Sequence, residues 1–276
     1  MQTRYESSPN EVKGMTTGQL RENFLIDNCI VAGEINFVYS HYDRMIIGGA
    51  MPTTEGLALG NFEQLKADYF LERREMGIIN IGGDGTITAD GKTYNLRKLD
   101  CVYLGKGTKD VVFSSNDAAA AAQFYILSVP AHRDYPNRMM PKEEASPMTI
   151  GSPATANHRT VYKYIHADGI KSCQLVMGLT TLHTGSVWNT MPAHTHDRRM
   201  EAYFYFDVPS DQAVVHFMGQ PQETRHIFMA NHQAVISPPW SIHSGCGTTN
   251  YGFIWGMGGE NFNYTDMDVV AINALR

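Results

Sequence analysis

Long apolar runs and long basic runs are both missing from this sequence. No stretch reaches the ~18 apolar residues of a membrane-spanning helix, so we expect no membrane segment. The net charge is −6, from 28 acidic and 22 basic residues, and no basic cluster of the kind that binds nucleic acid occurs. Hydrophobic residues make up 43% of the 276 positions, which is enough for a sizeable core. The composition is typical of a globular protein, and its mild acidity does not exclude a small anionic ligand held by local arginines.

Cysteine is also scarce. The four cysteines are scattered and form no CxxC pair; they are Cys29, Cys101, Cys173 and Cys246. The first fifteen residues contain no apolar stretch of the kind that marks a secretory signal. We therefore expect a cytoplasmic protein with free thiols, because reducing compartments rarely permit disulfides.

Helix signals are few, and most of the chain has strand patterns. The segment 16–26, "TTGQLRENFLI", predicts a short helix capped by Thr16 or Thr17. Short apolar runs such as "DVVFSS", "AQFYILSVP", "SCQLVMGLT", "QAVVHFMG" and "GFIWGM" predict strands, and the Gly-Asp-Gly and Asp-Gly pairs of "EMGIINIGGDGTITADGKTYNL" predict hairpin turns. The sequence therefore predicts an all-β sandwich or barrel with few short helices.

The two halves of the chain repeat a short pattern. An acidic residue and two arginines precede a strand at 72–74 and again at 197–199, and a tight loop follows each strand. The proline-containing segment 133–158 is poor in strand pattern and is predicted to connect the halves, with a long loop inside one domain as the alternative. We therefore predict two related β-domains, at 1–140 and 155–276.

The stretch "MPAHTHDRRMEAYFYF" at 191–206 carries the strongest chemical signal. Residues two apart on a strand face the same way, so His194 and His196 point together. Glu201 opens the following strand, and His243 ends the proline-rich turn "SPPWSIHSG". Three imidazoles and one carboxylate suit Zn²⁺, Mn²⁺, Fe²⁺ or Ni²⁺, and a site with an open position is catalytic. A surface histidine pair is the competing interpretation, but it explains neither the glutamate nor the third histidine.

The same strand predicts two faces with different surroundings. Tyr203 and Tyr205 share the face of Glu201, whereas the opposite face is apolar and carries Ala202, Phe204 and Phe206. This second face, together with Phe253, Ile254 and Trp255, predicts burial against another sheet or subunit. In the first half, Tyr69, Phe70 and Leu71 stand near the place of the histidine pair, and Lys109 near that of His243. We therefore expect a metal in the C-terminal domain alone.

These motifs resemble those of the cupin superfamily. "HTHDRRME" resembles the first cupin motif, HxHxxxxE, and "PPWSIHSG" resembles the second. The resemblance implies that each domain is a cupin-type double-stranded jelly-roll barrel. Longer phrases, including "VWNTMPAHTHDRRMEAYFYF", "MGQPQETRHI", "AVISPPWSIHSG" and "FIWGMGGEN", are similar to the 5-keto-4-deoxyuronate isomerase family from about residue 16 to the C-terminus.

The family resemblance carries several expectations. It implies one Zn²⁺ per subunit on His194, His196, Glu201 and His243, and a homohexamer of such subunits. It implies an aldose–ketose isomerase of pectin breakdown that converts 5-dehydro-4-deoxy-D-glucuronate to 3-deoxy-D-glycero-2,5-hexodiulosonate. The departures from the family pattern at Asp197 and Cys246 are conservative and leave the ligands intact.

The remaining site residues are open between several candidates. A substrate carboxylate calls for a guanidinium, for which Arg225, Arg198 and Arg199 compete, each with a surface or intersubunit ion pair as the alternative role. The candidates for the catalytic base are Glu223, Tyr203 and Tyr205, each with a structural alternative. A cupin dioxygenase or oxidase using iron or manganese, and a sensor of sugar acids without catalysis, are the alternative functions.

Overall fold

The computed structural model describes residues 1–261 and 265–276, and β-strands dominate it. In chain order the strands are β1 (Gln2–Arg4), β2 (Leu25–Ile26), β3 (Ile35–Ser40), β4 (Ile46–Ala50), β5 (Leu57–Ala58), β6 (Arg74–Asn80), β7 (Gly85–Ala89), β8 (Lys92–Leu96), β9 (Cys101–Leu104), β10 (Val111–Ser115), β11 (Phe124–Pro130), β12 (Arg138–Met140), β13 (Met148–Ile150), β14 (Arg159–Ile165), β15 (Val176–Leu182), β16 (Trp188–Asn189), β17 (His194–Thr195), β18 (Glu201–Phe206), β19 (Val214–Gln220), β20 (Glu223–Met229), β21 (Gln233–Ser237), β22 (Ser244–Gly247), β23 (Gly252–Met257) and β24 (Asp268–Val269). The helices are α1 (Pro9–Lys13) and α2 (Thr17–Phe24), with 3-10 turns at Tyr42–Arg44, Glu63–Leu65, Lys142–Glu144, Pro153–Thr155 and Ile272–Ala274. The prediction of an all-β protein with few short helices is confirmed.

The strands form two units with the same topology. In the first unit a seven-stranded sheet, β1-β3-β4-β11-β6-β9-β12, packs on a four-stranded sheet, β5-β10-β7-β8. In the second unit the corresponding sheets are β13-β14-β15-β23-β18-β21-β2 and β16-β22-β19-β20. The repeated arginine pairs precede or open strands β6 and β18, which occupy equivalent places in the two large sheets. The short sequence repeat therefore reflects a repeated arrangement of strands.

Local sequence explains the tightest turns and the helix starts. Asp90 and Gly91 join β7 to β8 with φ angles of 47° and 81°, a conformation that Asp-Gly pairs adopt readily. Helix α2 begins after Thr16, which forms a reciprocal capping box with Gln19, so the predicted helix start is confirmed. None of the helices among the described residues is long and apolar enough to cross a membrane.

The two large sheets pack against each other through their outer faces. Along β11, Phe124 and Ile126 belong to the core of the first unit, whereas Tyr125 and Leu127 join a core shared with the second unit. The Tyr125 ring stacks on Phe204 with 4.3 Å between centroids. The apolar outer face of β18 is thus covered by the same chain, and it no longer supports the expectation of a subunit contact.

Two segments depart from the simple division into halves. Helix α1, helix α2 and strand β2 lie near the start of the chain, but β2 pairs with β21 of the second unit. The connection 133–158 contributes an edge strand to each large sheet, β12 and β13, although its proline-rich sequence indicated no strand. The predicted domain limits of 1–140 and 155–276 stay a prediction.

Candidate metal centre

Four side chains converge where the sequence places the metal ligands. The Nε2 atom of His194 lies 3.1 Å from that of His196 and 2.9 Å from that of His243. Glu201 Oε2 lies 3.0 Å from His196 Nε2 and 2.8 Å from His243 Nε2. One ligand atom from each of these residues falls within 4.8 Å of all the others. No second group of three or more such side chains converges elsewhere in the described residues.

Different parts of the second unit hold these ligands in place. His194 lies on β17, which pairs with β24, and the backbone N–H of His196 donates to the carbonyl of Pro239. Glu201 opens β18 directly opposite Ser237 of β21, and the Ser237 hydroxyl lies 3.3 Å from His243 Nδ1. The contact leaves Nε2 of His243 to face the cluster.

The electrostatics of the four side chains suit a metal cation. Burial and, to a smaller extent, the neighbouring His243 lower the pKa of His194 to about 3, so the imidazole stays neutral and able to coordinate. Burial alone would raise the pKa of Glu201. The neighbouring His243 and the hydrogen bond with His196 have the larger effect and hold that pKa below its usual range. Atoms bound about 2.0–2.1 Å from a tetrahedral zinc lie about 3.3 Å apart, close to the observed spacing. The donor set therefore fits a divalent metal.

The cluster opens into a cavity of about 280 Å³. Its wall is mostly apolar and aromatic, with Phe253, Trp255 and Met257 from β23 and Val161 from β14. The sequence predicted burial of Phe253, Ile254 and Trp255 against another sheet or subunit; all three belong to the buried core, and Phe253 and Trp255 also line the cavity. Such a cavity excludes bulk water from one side of the cluster and can hold a small organic molecule.

The two candidate tyrosines occupy different depths. Tyr203 lines the cavity, and its hydroxyl lies 2.8 Å from that of Thr190. Tyr205 is fully buried, and its hydroxyl lies 2.8 Å from Nδ1 of His216, outside the cavity lining. Tyr203 alone of the two reaches the place where a substrate would lie.

The arginine pair of the second unit forms ion pairs behind the cluster. Arg199 is 1% exposed and its Nη2 lies 2.6 Å from Asp266 Oδ1. Arg198 contacts the same carboxylate at 3.0 Å and Glu260 at 3.0 Å. Neither arginine lines the cavity, so the structure gives both a part in holding the segment around Asp266.

The other two candidates lie on strand β20, away from the metal cluster. Arg225 donates to the backbone carbonyls of Val12 and Met15 and so fixes the turn between α1 and α2. Glu223 is exposed and lies 3.9 Å from Lys13. Neither residue lines the cavity. The phrase "MGQPQETRHI", which suggested both residues, spans the turn between β19 and β20 and contributes nothing to the cavity wall.

Arg159 is the cation that sequence reasoning missed. It opens β14 and faces the cavity together with Val161, two positions along the strand. Its Nη1 donates to the carbonyl of Asn157 at 2.7 Å, and no ion pair involves it among the described residues. Arg159 shares a strand face with Val161, but the strand "RTVYKYI" lies outside the motifs that predicted the site.

In the first unit, other contacts occupy the equivalent region. The Lys109 ammonium lies over the Tyr69 ring, 5.5 Å from its centroid. The sequence places this pair where the second unit has His243 and the histidine pair. A lysine ammonium on an aromatic ring offers no metal ligand.

Comparison with known proteins agrees with this arrangement. Residues 25–272 match the KduI/IolB family. The chain is 56% identical to the 4-deoxy-L-threo-5-hexosulose-uronate ketol-isomerase of Shouchella clausii over 276 residues, all of both proteins. It is 58% identical to the ketol-isomerase of the same name from Formosa agariphila over 275 residues, which cover 100% of this chain and 98% of that one.

Solved structures share the fold at low identity. An IolB-like protein from Salmonella typhimurium superposes with a TM-score of 0.74 over 90% of this chain and 97% of its own, at 15% identity. A variant of oxalate decarboxylase from Bacillus subtilis gives a TM-score of 0.57 over 83% of this chain and 71% of its own, at 11% identity. The fold and the metal cluster together define a cupin-like jelly-roll protein.

The chain belongs to the KduI/IolB family. Its full-length relatives are ketol-isomerases, so the prediction of an isomerase that interconverts an aldose and a ketose is confirmed. The cluster of His194, His196, Glu201 and His243 could hold a metal ion.

Proposed function

We propose that the chain is a zinc-dependent isomerase of pectin and uronate breakdown that converts 5-dehydro-4-deoxy-D-glucuronate to 3-deoxy-D-glycero-2,5-hexodiulosonate. The observation that carries the proposal is one cavity whose wall includes His194, His196 and Glu201 of the four-ligand cluster, together with Arg159 and Tyr203. The names of the full-length relatives support the substrate. Moving a carbonyl from C1 to C2 requires no net redox change, and bound zinc would supply a Lewis acid for the oxygen that becomes negative.

Arg159 is the residue that we assign to the substrate carboxylate. A guanidinium can hold a carboxylate through two parallel hydrogen bonds, and only Nη1 of Arg159 has a partner among the described residues. Glu201, the acidic side chain in the cavity lining, belongs to the metal cluster. Arg159 therefore replaces Arg198, Arg199 and Arg225 as the carboxylate ligand.

Substitution of Arg159 tests this assignment. Arg159→Gln should raise KM by roughly tenfold or more, the effect of losing a charge-assisted hydrogen bond to an ionised group. Zinc content should stay at the wild-type level. The exposed Arg138 in the first unit provides the matched control, Arg138→Gln, which should keep the wild-type KM. Equal KM values in the two variants would remove Arg159 from the substrate site.

Tyr203 is the side chain that we assign to proton transfer between the two carbons. Its hydroxyl reaches the cavity, whereas Tyr205 and Glu223 do not. Tyr203→Phe should lower kcat by about 100-fold or more, the usual contribution of a positioned acid or base. Tyr205→Phe is the comparison, because it removes the same atom two residues along the strand. A similar loss in both variants would indicate a packing effect instead.

Assembly and compartment form part of the proposal. We take a homohexamer from the family resemblance, because the apolar face of β18 that first suggested oligomers is covered within one chain. The free thiols, three of them buried, support the reducing cytoplasm. Light scattering at micromolar concentration should give about six times the 30.8 kDa subunit mass. A mass near that of one subunit would exclude the hexamer.

The decisive experiment uses the purified full-length protein. It is incubated with the unsaturated galacturonate released by pectate lyase digestion, with and without a chelator, while product, oxygen and metal content are measured. We expect the diketo acid to form without oxygen uptake, to stop with chelator and to return with zinc. Oxygen consumption would favour the oxidase alternative, and no turnover with intact metal would favour a sensor.

A further inference from the structure

A second cavity, in the first unit, is lined by three arginines. It has a volume of about 200 Å³, and its wall includes Arg44, Arg73 and Arg74, with the Tyr39 side chain beside them. No acidic residue lines it among the described residues. We call it the arginine pocket. It shares no lining residue with the metal cavity, so its charge is not part of the isomerase site.

Arg74 is the central side chain of this pocket, and it is 6% exposed. Its Nε donates to the Ser128 hydroxyl at 3.1 Å, and its Nη2 donates to the carbonyls of Ser128 and Arg44, both at 2.7 Å. All three acceptors are uncharged. No carboxylate lies within ion-pair distance of Arg74 in the part of the chain that the structure describes. Arg74 therefore has uncharged acceptors but no counter-charge, and a buried charge without a counter-charge is costly.

The second unit shows how the same position is neutralised. Arg199, which corresponds to Arg74 in the repeated pattern, pairs with Asp266 at 2.6 Å. Its neighbour Arg198 pairs with Asp266 and with Glu260. In the first unit, Arg73 lies 3.5 Å from Glu72, with its side chain 65% exposed. The buried arginine of the second pair therefore has a carboxylate partner, whereas Arg74 of the first pair has none among the described residues.

A third positive group increases the imbalance at the arginine pocket. Arg44 is exposed, gives its own carbonyl to Arg74, and has no ion pair among the described residues. The pKa of Arg74 is lowered to about 9, mainly by burial, with a smaller lowering from Arg44 and an opposing effect of Tyr39. The guanidinium nevertheless stays charged at neutral pH. The chain as a whole carries a net charge of −6, so this concentration of positive charge is local.

We propose that the arginine pocket binds a small oxyanion with at least two negative charges, carried on phosphate or carboxylate oxygens. The planar guanidinium fork matches both kinds of group and holds them through paired hydrogen bonds. Nη1 of Arg74 makes no hydrogen bond to any described residue and is available to such a ligand. The volume of about 200 Å³ suits a phosphate group or a short dicarboxylate.

Calorimetric titration of the metal-loaded full-length protein tests the proposal. Inorganic phosphate and malonate are the two probes, and chloride at matched ionic strength is the blank. We expect one saturable site per subunit for at least one probe. Binding only by phosphate identifies a phosphate-bearing ligand, and binding only by malonate identifies a carboxylate-bearing one. No saturable heat with either probe up to millimolar concentration overturns the proposal.

Variants at the exposed arginines locate the binding without risking the fold. Arg44→Gln and Arg73→Gln should each weaken binding by roughly tenfold, the effect of one charge-assisted hydrogen bond. Arg138→Gln, at an exposed arginine of the same unit outside the pocket, should leave the affinity unchanged. Equal weakening in all three variants would mean a general charge effect and would overturn the proposal. So would a crystal structure in which a carboxylate of a second copy of the chain fills the pocket.

Discussion

At the scale of single residues, His243 contributes what the other three ligands cannot. His194, His196 and Glu201 lie within eight residues of one another, whereas His243 comes from the turn before β22. Its Nε2 lies 2.9 Å from His194 and 2.8 Å from Glu201, so it closes the cluster from the opposite side. Removal of this imidazole should therefore lower the affinity of the site for the metal and change its coordination geometry.

Substitution of His243 is expected to lower activity further than metal content. His243→Ala should weaken zinc binding by at least the 10–100-fold seen when residues around metal ligands are changed. The isomerase rate at saturating zinc should fall still more, because three ligands hold the ion in altered geometry. Atomic emission and rate measurements give the two quantities. The exposed His226 supplies a control, His226→Ala. If His243→Ala had the same zinc content and isomerase rate as this control, His243 would be only a loop histidine.

A second buried histidine should make stability depend on pH. Burial and, to a smaller extent, His243 lower the pKa of His216 to about 3, whereas an unfolded histidine titrates near 6.5. Between these values the unfolded chain binds a proton that the folded chain does not, so stability falls as pH decreases. From pH 7 to pH 5 this group should cost about 2 kcal/mol.

Denaturant unfolding at the two pH values checks the contribution of His216. His216→Gln keeps a hydrogen-bonding group opposite the Tyr205 hydroxyl but cannot be protonated in this range. The variant should lose less stability between pH 7 and pH 5 than the wild type does. Equal losses would show that other groups, such as the metal ligands, account for the whole acid sensitivity.

The four ligands could be predicted from sequence because three are close together and the fourth ends a distinctive turn. Arg159 could not, because it lies 35 residues before His194 and reaches the cavity only through the pairing of β14 with β15. Arg225 illustrates the reverse error. Its guanidinium binds backbone carbonyls about 210 residues away, a role that no local pattern reveals.

At the scale of elements, the pair β17–β24 holds one edge of the metal site. His194 lies opposite Val269 in this pair, and Asp266 just before β24 binds the buried Arg199. The same carboxylate is 3.9 Å from His196 Nδ1. The ion pair therefore ties the segment before β24 to residues 194–201, which carry three of the four candidate metal ligands.

Loss of this ion pair should destabilise the second unit. Asp266→Ala leaves the fully buried Arg199 guanidinium without a counter-charge, at a cost of about 3–5 kcal/mol. Thermal or denaturant unfolding would detect it. Asp268→Ala, at an exposed aspartate two positions along, should have little effect. If both variants were as stable as the wild type, the pair would have no structural role.

The sequence predicted regular elements well and irregular ones poorly. Strands such as β10, β11, β19 and β23 follow from their apolar runs, and the β7–β8 hairpin follows from Asp90-Gly91. Strands β12 and β13 were missed because each has three residues at a sheet edge among prolines. The outer face of β18 was recognised as buried, but local sequence does not say whether a subunit or the same chain covers it.

At the scale of the whole molecule, one carboxylate links the two units. Glu75, on β6 of the first unit, is completely buried. It accepts hydrogen bonds from the backbone N–H groups of Cys173, Gln174 and Leu175, at 2.7–2.8 Å, and from the Tyr103 hydroxyl at 2.7 Å. The loop before β15 of the second unit thus depends on a side chain of the first.

Removal of Glu75 should therefore loosen the junction between the units. Glu75→Ala leaves three backbone donors without an acceptor, and each unsatisfied buried group costs about 1–3 kcal/mol, so the variant should lose at least about 3 kcal/mol. Amide hydrogen exchange should accelerate at residues 173–175, because their hydrogen bonds are gone, while the amides of the β7–β8 hairpin should change little. Glu75→Gln retains one acceptor oxygen, so its stability and its exchange rates at 173–175 should lie between those of the wild type and Glu75→Ala. Glu63→Ala, at a side chain that is 92% exposed, controls for the loss of charge. Unchanged exchange at 173–175 in Glu75→Ala would mean that apolar contacts such as Tyr125 on Phe204 hold the two units together without this carboxylate.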